Sequence, residues 1–426
     1  MPYQKSLYNL LVPYPDGRTI IFNAFSGALG LFQPDALQRY HENKLSAEEE
    51  QTLVKKGILV PEGTDEKSLI HQDRANGILH SKENLIRLWT TSACNARCYY
   101  CFEKGIAPVT MTEATADQVI AFILPMLQEG GTLTFEWFGG EPLLNPGIID
   151  YIVGKLAPSC QRLHCCLQSA FISNGSLIDA AIVQKMKTTW NTKYVQITLD
   201  GDRKTYNAAK DYICPEKHNF DNVLHNIKLL AENEIHVSIR MNYDTTNYES
   251  LLSLIDYLHQ ELGNYHNIFY YVYPLWSCLN EEAADPFHST ATADQNLIAL
   301  FDRIVQYGMT PPRMLARLNY KKNQCSSCST SSYAIFPDGT LGKCSETFLQ
   351  NIGDVWNGVT DPDTFSQWTD TGLDPTCDTC IYLPLCQGGC RSSLFTKMPR
   401  CFAYKDIIPE LLVWYVSKLL ERRPIN

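Results

Sequence analysis

Between residues 84 and 275 short apolar, β-branched runs alternate with stretches of helical period. Residues 84–90, 132–138, 167–173, 194–199, 236–242 and 267–273 read as strands. Helical patterns separate them at about 112–129, 145–156, 178–186, 220–233 and 248–262. In the first of these Val119, Phe122, Ile123, Met126 and Leu127 recur with the spacing of one helix face. Strands alternating with helices predict an α/β fold with a parallel sheet and right-handed crossovers. Six units are too few to close an eight-strand barrel. The expectation is an open, partial (β/α)6 barrel of TIM type over 84–310, with its functional residues at the C-terminal ends of the strands.

The flanking regions pattern differently. Within 1–75, runs at 7–12 and 19–23 flank Asp16-Gly17, a hairpin turn signal. Ser46-Ala47-Glu48-Glu49 is a capping box, and the helix it opens should stop at Gly57. A short strand at 57–60 follows. These elements predict a small winged-helix-like α+β module, joined to the barrel by a linker at 76–83, the polar stretch 64–82 reading as linker with some helix. From residue 311 to 426 the chain is rich in Cys, Gly, Asp and Pro and ends in an amphipathic helix at about 409–422. A region of that composition is expected to need metal to hold it together.

Composition narrows the chemistry. Of the 426 residues 45% are hydrophobic and 19% charged, as in soluble globular proteins, and the net charge is −10. That balance argues against phosphate-dominated nucleic-acid binding. The apolar runs are too short for a membrane span, and the first residues lack the apolar core of a secretion signal. The expected setting is therefore cytoplasmic, with no nucleic-acid or membrane partner. Sixteen cysteines in a reducing compartment point to metal or redox chemistry. None precedes Cys94; three fall in 94–101 and eight in 325–401. The remaining five, Cys160, Cys165, Cys166, Cys214 and Cys278, match no ligand spacing and read as structural.

Cys94-Asn95-Ala96-Arg97-Cys98-Tyr99-Tyr100-Cys101 is a C-x3-C-x2-C loop directly after a predicted strand. Three thiolates on a tight loop can hold three irons of a [4Fe–4S] cluster and leave the fourth open. Zinc is the competing reading, but zinc sites close with four ligands, commonly from C-x2-C pairs.

The loop resembles that of the radical SAM superfamily. The resemblance implies that the open iron binds S-adenosylmethionine (SAM), whose cleavage gives a 5′-deoxyadenosyl radical. It also implies a set of SAM contacts. Gly139-Gly140-Glu141-Pro142 resembles the family's GGEP motif, with Glu141 meeting the SAM amino group. Ser173-Asn174-Gly175 and Thr198-Leu199-Asp200-Gly201 end the third and fourth strands, the latter similar to the family's SLDG. Arg240, Asn242 and Asp244 end the fifth strand, where the family contacts ribose and carboxylate. Lys210 stands where relatives often place an arginine, and Tyr100 is expected near adenine through its backbone.

Cys325-x2-Cys328, Cys344, Cys377-x2-Cys380-x5-Cys386-x3-Cys390 and Cys401 are similar to the SPASM domain behind many peptide-modifying radical SAM enzymes. The family's interleaved pattern implies one auxiliary [4Fe–4S] cluster on Cys325, Cys328, Cys344 and Cys390. It implies a second on Cys377, Cys380, Cys386 and Cys401, for three clusters in all. Two zinc-ribbon-like sites are the alternative. The N-terminal module loosely resembles the PqqD-like recognition elements that add a leader peptide as a strand. The implied function is a peptide maturase of the ranthipeptide or sactipeptide type. It would abstract hydrogen from a precursor peptide and install a cross-link, a Cys thioether being the favoured product. Its partners would be that leader-bearing peptide and an electron donor such as flavodoxin or ferredoxin. Carbon–carbon cross-linking, epimerisation and anaerobic sulfatase maturation are alternatives. The last is disfavoured by Ser345, which stands where those relatives carry an Asp. A zinc-binding adaptor without enzyme activity is the remaining class. No catalytic base emerges from the sequence.

Overall fold

The computed structural model describes residues 2–244, 246–275, 295–322, 325–347, 350–396 and 400–421. Cys278 and the last residue of the expected C-terminal helix, Arg422, lie outside them.

The N-terminal module holds five short strands. Strand β1 (Tyr3–Lys5) pairs antiparallel with β5 (Leu59–Pro61), while β2 (Asn9–Pro13), β3 (Thr19–Asn23) and β4 (Leu29–Phe32) form a meander. The β2–β3 turn needs a left-handed residue, and Gly17 supplies it at φ +89°. Helix Ala47–Lys55 starts at the Ser46/Glu49 capping box, as its sequence predicts. Ile21, Tyr40, Leu53, Ile58 and Leu59 make a small core of their own.

The polar stretch read as linker with some helix holds one helix of fourteen residues. Helix Glu66–Leu79 runs through the boundary and buries Glu66, Ile70, Arg74 and Ile78, four residues spaced along one face. Its start is tied to the N-terminal module, since the Ser6 hydroxyl (2.7 Å) and the Leu7 N–H (2.8 Å) both donate to the Glu66 carboxylate. Its end is tied to the C-terminal region by the Thr330 N–H, which donates to the Ile78 carbonyl at 2.9 Å. Two of the four inward positions are charged, which is why the pattern reads as polar.

The centre is one ten-stranded sheet. Strands β6 (Glu83–Thr91), β7 (Thr132–Gly139), β8 (Cys166–Ser173), β9 (Thr192–Thr198), β10 (His236–Tyr243) and β11 (Ile268–Pro274) lie side by side in chain order, all parallel. Leu133, Phe135 and Trp137 of β7 are all 0% exposed, each worth roughly 1.5–3 kcal/mol of burial. The alternate residues Thr134, Glu136 and Phe138 are half-buried on the other face. There Glu136 pairs in register with Arg87 of β6 and forms an ion pair with it at 2.5 Å.

The C-terminal region does not stand apart from this sheet. Strand β12 (Tyr333–Ile335) adds parallel to β6, and β13 (Thr340–Gly342), β14 (Asn351–Asp354) and β15 (Gly358–Val359) follow antiparallel. Backbone pairing therefore holds part of a region that composition assigns to metal alone. The sheet remains open, with β11 and β15 as its edges. Among the described residues no helix is long and apolar enough to cross a membrane.

Candidate functional site

The cysteine loop leaves β6 and is pinned by the ends of its neighbours. Arg97 N–H donates to the Lys210 carbonyl (2.8 Å), and Asn174 Nδ2 donates to Asn95 Oδ1 (2.8 Å). Asn95 Nδ2 in turn donates to Ser176 (2.9 Å). Asn174 Nδ2 also lies 3.9 Å from Cys94 Sγ. The loop thus sits over the C-terminal ends of β8 and β9.

Gly139 and Gly140 are required by backbone contact with that same loop. Gly139 has φ +107°, and a Cβ there would lie 2.3 Å from the Thr91 carbonyl oxygen. A Cβ on Gly140 would lie 2.2 Å from the Ala93 carbonyl oxygen. The close approach lets Gly140 N–H bond Thr91 O (3.1 Å) and Glu141 N–H bond Ala93 O (2.9 Å). These bonds set the position of Cys94, one residue on.

Glu141 is 0% exposed. Its carboxylate accepts from Ser173 Oγ (2.9 Å), Asn174 N–H (2.8 Å) and Leu143 N–H (3.1 Å). Burial pushes it up to about 7, against the pull of these donors. Its carboxylate thereby orders the Ser173-Asn174 turn.

The strand ends of β9 and β10 carry a buried polar network. Asp200 and Lys210 form an ion pair at 3.0 Å with side chains 3% and 4% exposed. Tyr100 bridges them, donating to Asp200 at 2.6 Å and accepting from Lys210 at 2.7 Å. Asn242 Nδ2 donates to the other Asp200 oxygen at 2.9 Å, and Arg240 Nε donates to Asn242 Oδ1 at 2.8 Å. Burial opposes the charge on Lys210, but Asp200, Tyr100 and Cys98 outweigh it and raise its pKa well above the usual lysine value. Burial and then Asp200 raise the Tyr100 phenol well above its ordinary value. The Lys210 ammonium and the Tyr100 hydroxyl are thus engaged with Asp200 within the protein, and the expectation for Tyr100 concerns its backbone. Arg240 also lies over the Tyr273 ring, 4.9 Å from its centroid. Thr198 is half-buried as the last residue of β9.

Three acids were not singled out by sequence. Glu103, two residues past Cys101, has a buried Oε2 with no partner, and burial together with Glu141 pushes it up to about 8. Glu136 faces Arg87 within the sheet. Glu346 is raised by burial against the pull of Arg240 and Arg87. An acid two residues past the cysteine loop and another two residues past Cys344 are the available signals.

The structure brings the site cysteines together in three groups. Cys98 lies within electrostatic reach of both Cys94 and Cys101, and burial pushes those two thiols up to about 12 and about 11. Cys328, Cys344 and Cys390 each feel Cys325. Cys386 feels Cys377, Cys380 and Cys401. Cys160 and Cys165 are buried side by side, Cys214 is half-buried, and Cys166 is exposed.

These donor sets fit iron–sulfur clusters on two counts. Buried thiols with raised pKa values resist ionising unless a metal compensates the thiolate charge. Arg74 and Lys343, each 1% exposed, also have no carboxylate within ion-pair distance among the described residues, and both feel the first C-terminal thiol set. A buried cation needs a counter-charge, and an anionic cluster supplies one. Among the described residues no three His, Cys, Asp or Glu converge to grip a single metal ion. A cuboidal cluster, with one thiolate per iron, spreads its ligands wider than one ion does.

Residues 90–258 match the model of the Radical SAM superfamily. The GTP 3′,8-cyclase of Alkaliphilus metalliredigens is 29% identical over 137 residues, covering 32% of this chain and 37% of the cyclase. The chain spans about two-fifths of the length of the curated relatives it matches. Among solved structures, anSMEcpe with bound AdoMet superposes with a TM-score of 0.62 at 15% identity, covering 80% of this chain and 98% of that one. Streptococcus suis SuiB bound to precursor peptide SuiA gives a TM-score of 0.54 at 14% identity, covering 94% and 99%. These two likenesses show a shared fold. Fold, cysteine loop and family match converge: residues 90–258 of this chain are a radical SAM superfamily enzyme domain.

Proposed function

We propose that the chain is a radical SAM peptide maturase with three [4Fe–4S] clusters that installs a cross-link, a Cys thioether, in a leader-bearing precursor peptide. The observation that carries this reading is the grouping of eleven thiols into one set of three at the strand ends and two sets of four in the C-terminal region. Cys94, Cys98 and Cys101 would hold the SAM cluster. Cys325, Cys328, Cys344 and Cys390 would hold one auxiliary cluster, and Cys377, Cys380, Cys386 and Cys401 the other. SAM bound at a reduced cluster supplies a 5′-deoxyadenosyl radical that abstracts hydrogen.

The protein's own part is positioning. The Gly139-Gly140 backbone fixes the cysteine loop, Glu141 orders the Ser173-Asn174 turn, and the Tyr100–Asp200–Lys210 network lies within electrostatic reach of Cys98. Thr198 and Arg240 stand at the same strand ends and would complete the SAM pocket. Four thiols in each C-terminal set would leave no iron of a bound cluster open to a substrate thiol, and clusters so held would supply the electron-transfer chemistry that a net two-electron cross-link requires. Strand β4 has one unpaired edge in the described structure, a place for a leader to add as a strand. Support from neighbours is consistent: anSMEcpe has also been solved with AdoMet and a Kp18Cys peptide, and SuiB with SuiA. A flavodoxin or ferredoxin in the cytoplasm would supply the electrons.

Coupled turnover tests the reading. Anaerobically reconstituted protein given SAM, reductant and a leader-bearing peptide should release 5′-deoxyadenosine in step with peptide modification. SAM cleavage that no peptide consumes productively would oppose it.

A further inference from the structure

We propose that Arg74 is the shared counter-ion of the two C-terminal clusters and raises the reduction potential of both. The inference rests on the reading that each four-thiol set holds a [4Fe–4S] cluster.

Arg74 comes from the N-terminal side of the chain, on helix Glu66–Leu79. Its side chain is 1% exposed. Nε donates to Thr371 O (3.2 Å), Nη1 to Gln387 O, and Nη2 to Asp370 O (3.4 Å). Every acceptor is a neutral carbonyl. These bonds satisfy the donors; the Asp370 carboxylate within electrostatic reach is largely exposed, lies 3.8 Å from Arg391, and is offset by that second cation, and a buried cation so weakly countered is strongly unfavourable.

Its position answers where the counter-charge lies. The guanidinium is within electrostatic reach of Cys328 in the first set and Cys377 in the second. The carbonyl that Nη1 binds belongs to Gln387, in the five-residue strap from Cys386 to Cys390. That strap begins in one thiol set and ends in the other. It passes Arg74 closely: a Cβ on Gly388 would lie 4.0 Å from Nη1, and Gly388 and Gly389 have φ of +90° and +80°. Arg74 and Cys390 also line one cleft of about 210 Å³. The helix is anchored at Glu66 and again at Ile78, so the guanidinium has little freedom to leave.

Reduction adds negative charge to a cluster, and cluster potential follows net charge and hydrogen bonding. A fixed positive charge between two clusters therefore favours reduction of both, and the N-terminal side of the chain thereby enters the redox apparatus.

The test uses full-length protein carrying Cys94→Ala, Cys98→Ala and Cys101→Ala, so that only the C-terminal clusters report. Potentials are read by anaerobic redox titration followed by electron paramagnetic resonance, with iron counted in parallel. Arg74→Gln should move both couples to more negative potential, and Arg74→Lys should stay near the parent. Unchanged potentials in Arg74→Gln at full iron would overturn the proposal, as would a shift in one couple alone. If Arg74→Gln loses iron, Arg74→Lys decides: iron retained there supports a charge role, and iron lost in both shows a packing role and overturns it. A parent triple variant without two redox couples would overturn the cluster reading itself, and this inference with it.

Discussion

The Lys210 ammonium lies 3.0 Å from Asp200 Oδ2, with both side chains almost wholly out of water and the Tyr100 hydroxyl bonded to each. A pair so buried is held by its own geometry, and removing one member strands the other. Lys210→Met should therefore lower stability by roughly 3–5 kcal/mol, read by denaturant unfolding of the apo protein. Asp200→Asn should be similarly damaging. A loss within about 0.5 kcal/mol, the usual range for surface substitutions, would show that the network is dispensable.

The glycines of the Gly139-Gly140 turn make a sharper prediction about the cysteine loop. Gly140→Ala places a Cβ against the Ala93 carbonyl and must displace the backbone that carries Cys94. Iron at the cysteine loop and deoxyadenosine release should both fall steeply. Gly154→Ala is the control: it lies within helix Pro146–Arg162 with nothing within 4 Å of the new Cβ. That change should be neutral or stabilising by about 0.5–1 kcal/mol.

Stoichiometry separates the three thiol groups. Four irons per cluster give about twelve irons in the fully reconstituted protein. Cys98→Ala should abolish deoxyadenosine formation. Replacing Cys94, Cys98 and Cys101 together should leave about eight irons. A count near four in that variant would mean that the C-terminal region holds a single cluster.

Acid should weaken the N-terminal module at the Ser46 cap. The Arg39 hydrogen bond and then the Ser46 backbone N–H hold the Glu49 carboxyl down at about 2, from an ordinary 4.5. A group whose folded pKa is depressed stabilises above the unfolded pKa and loses that contribution as pH falls through the folded one. Stability should thus decline between pH 4.5 and 2, and Glu49→Gln should flatten that part of the profile. An unchanged slope in the variant would remove Glu49 from the account.

The parts legible in the sequence share a cause. Strands β6 to β11 are each at least seven residues long, with outward faces packed by helices, so each announces itself locally. Strands β12 to β15 have two to four residues and exist only because β6 offers an edge far away in the chain. The eight-residue helix Arg203–Lys210 has Tyr206 as its one large apolar residue, too little for a periodic signal. The buried face and full length of helix Glu66–Leu79 are hidden because two of its inward residues, Glu66 and Arg74, are charged and find partners only in the fold. The cysteines were legible by spacing. The Tyr100–Asp200–Lys210 network was not, because its members are up to 110 residues apart and meet only at the strand ends.

Product mass tests the central claim most directly. The reading predicts that a leader-bearing peptide, incubated anaerobically with reconstituted protein, SAM and reductant, loses two hydrogens per SAM consumed. For a thioether, one thiol also becomes resistant to alkylation; a thiol that still alkylates points to a carbon–carbon bond. An unchanged mass with D-residues after hydrolysis, or loss of sulfur with gain of oxygen at a cysteine, would contradict the cross-linking account.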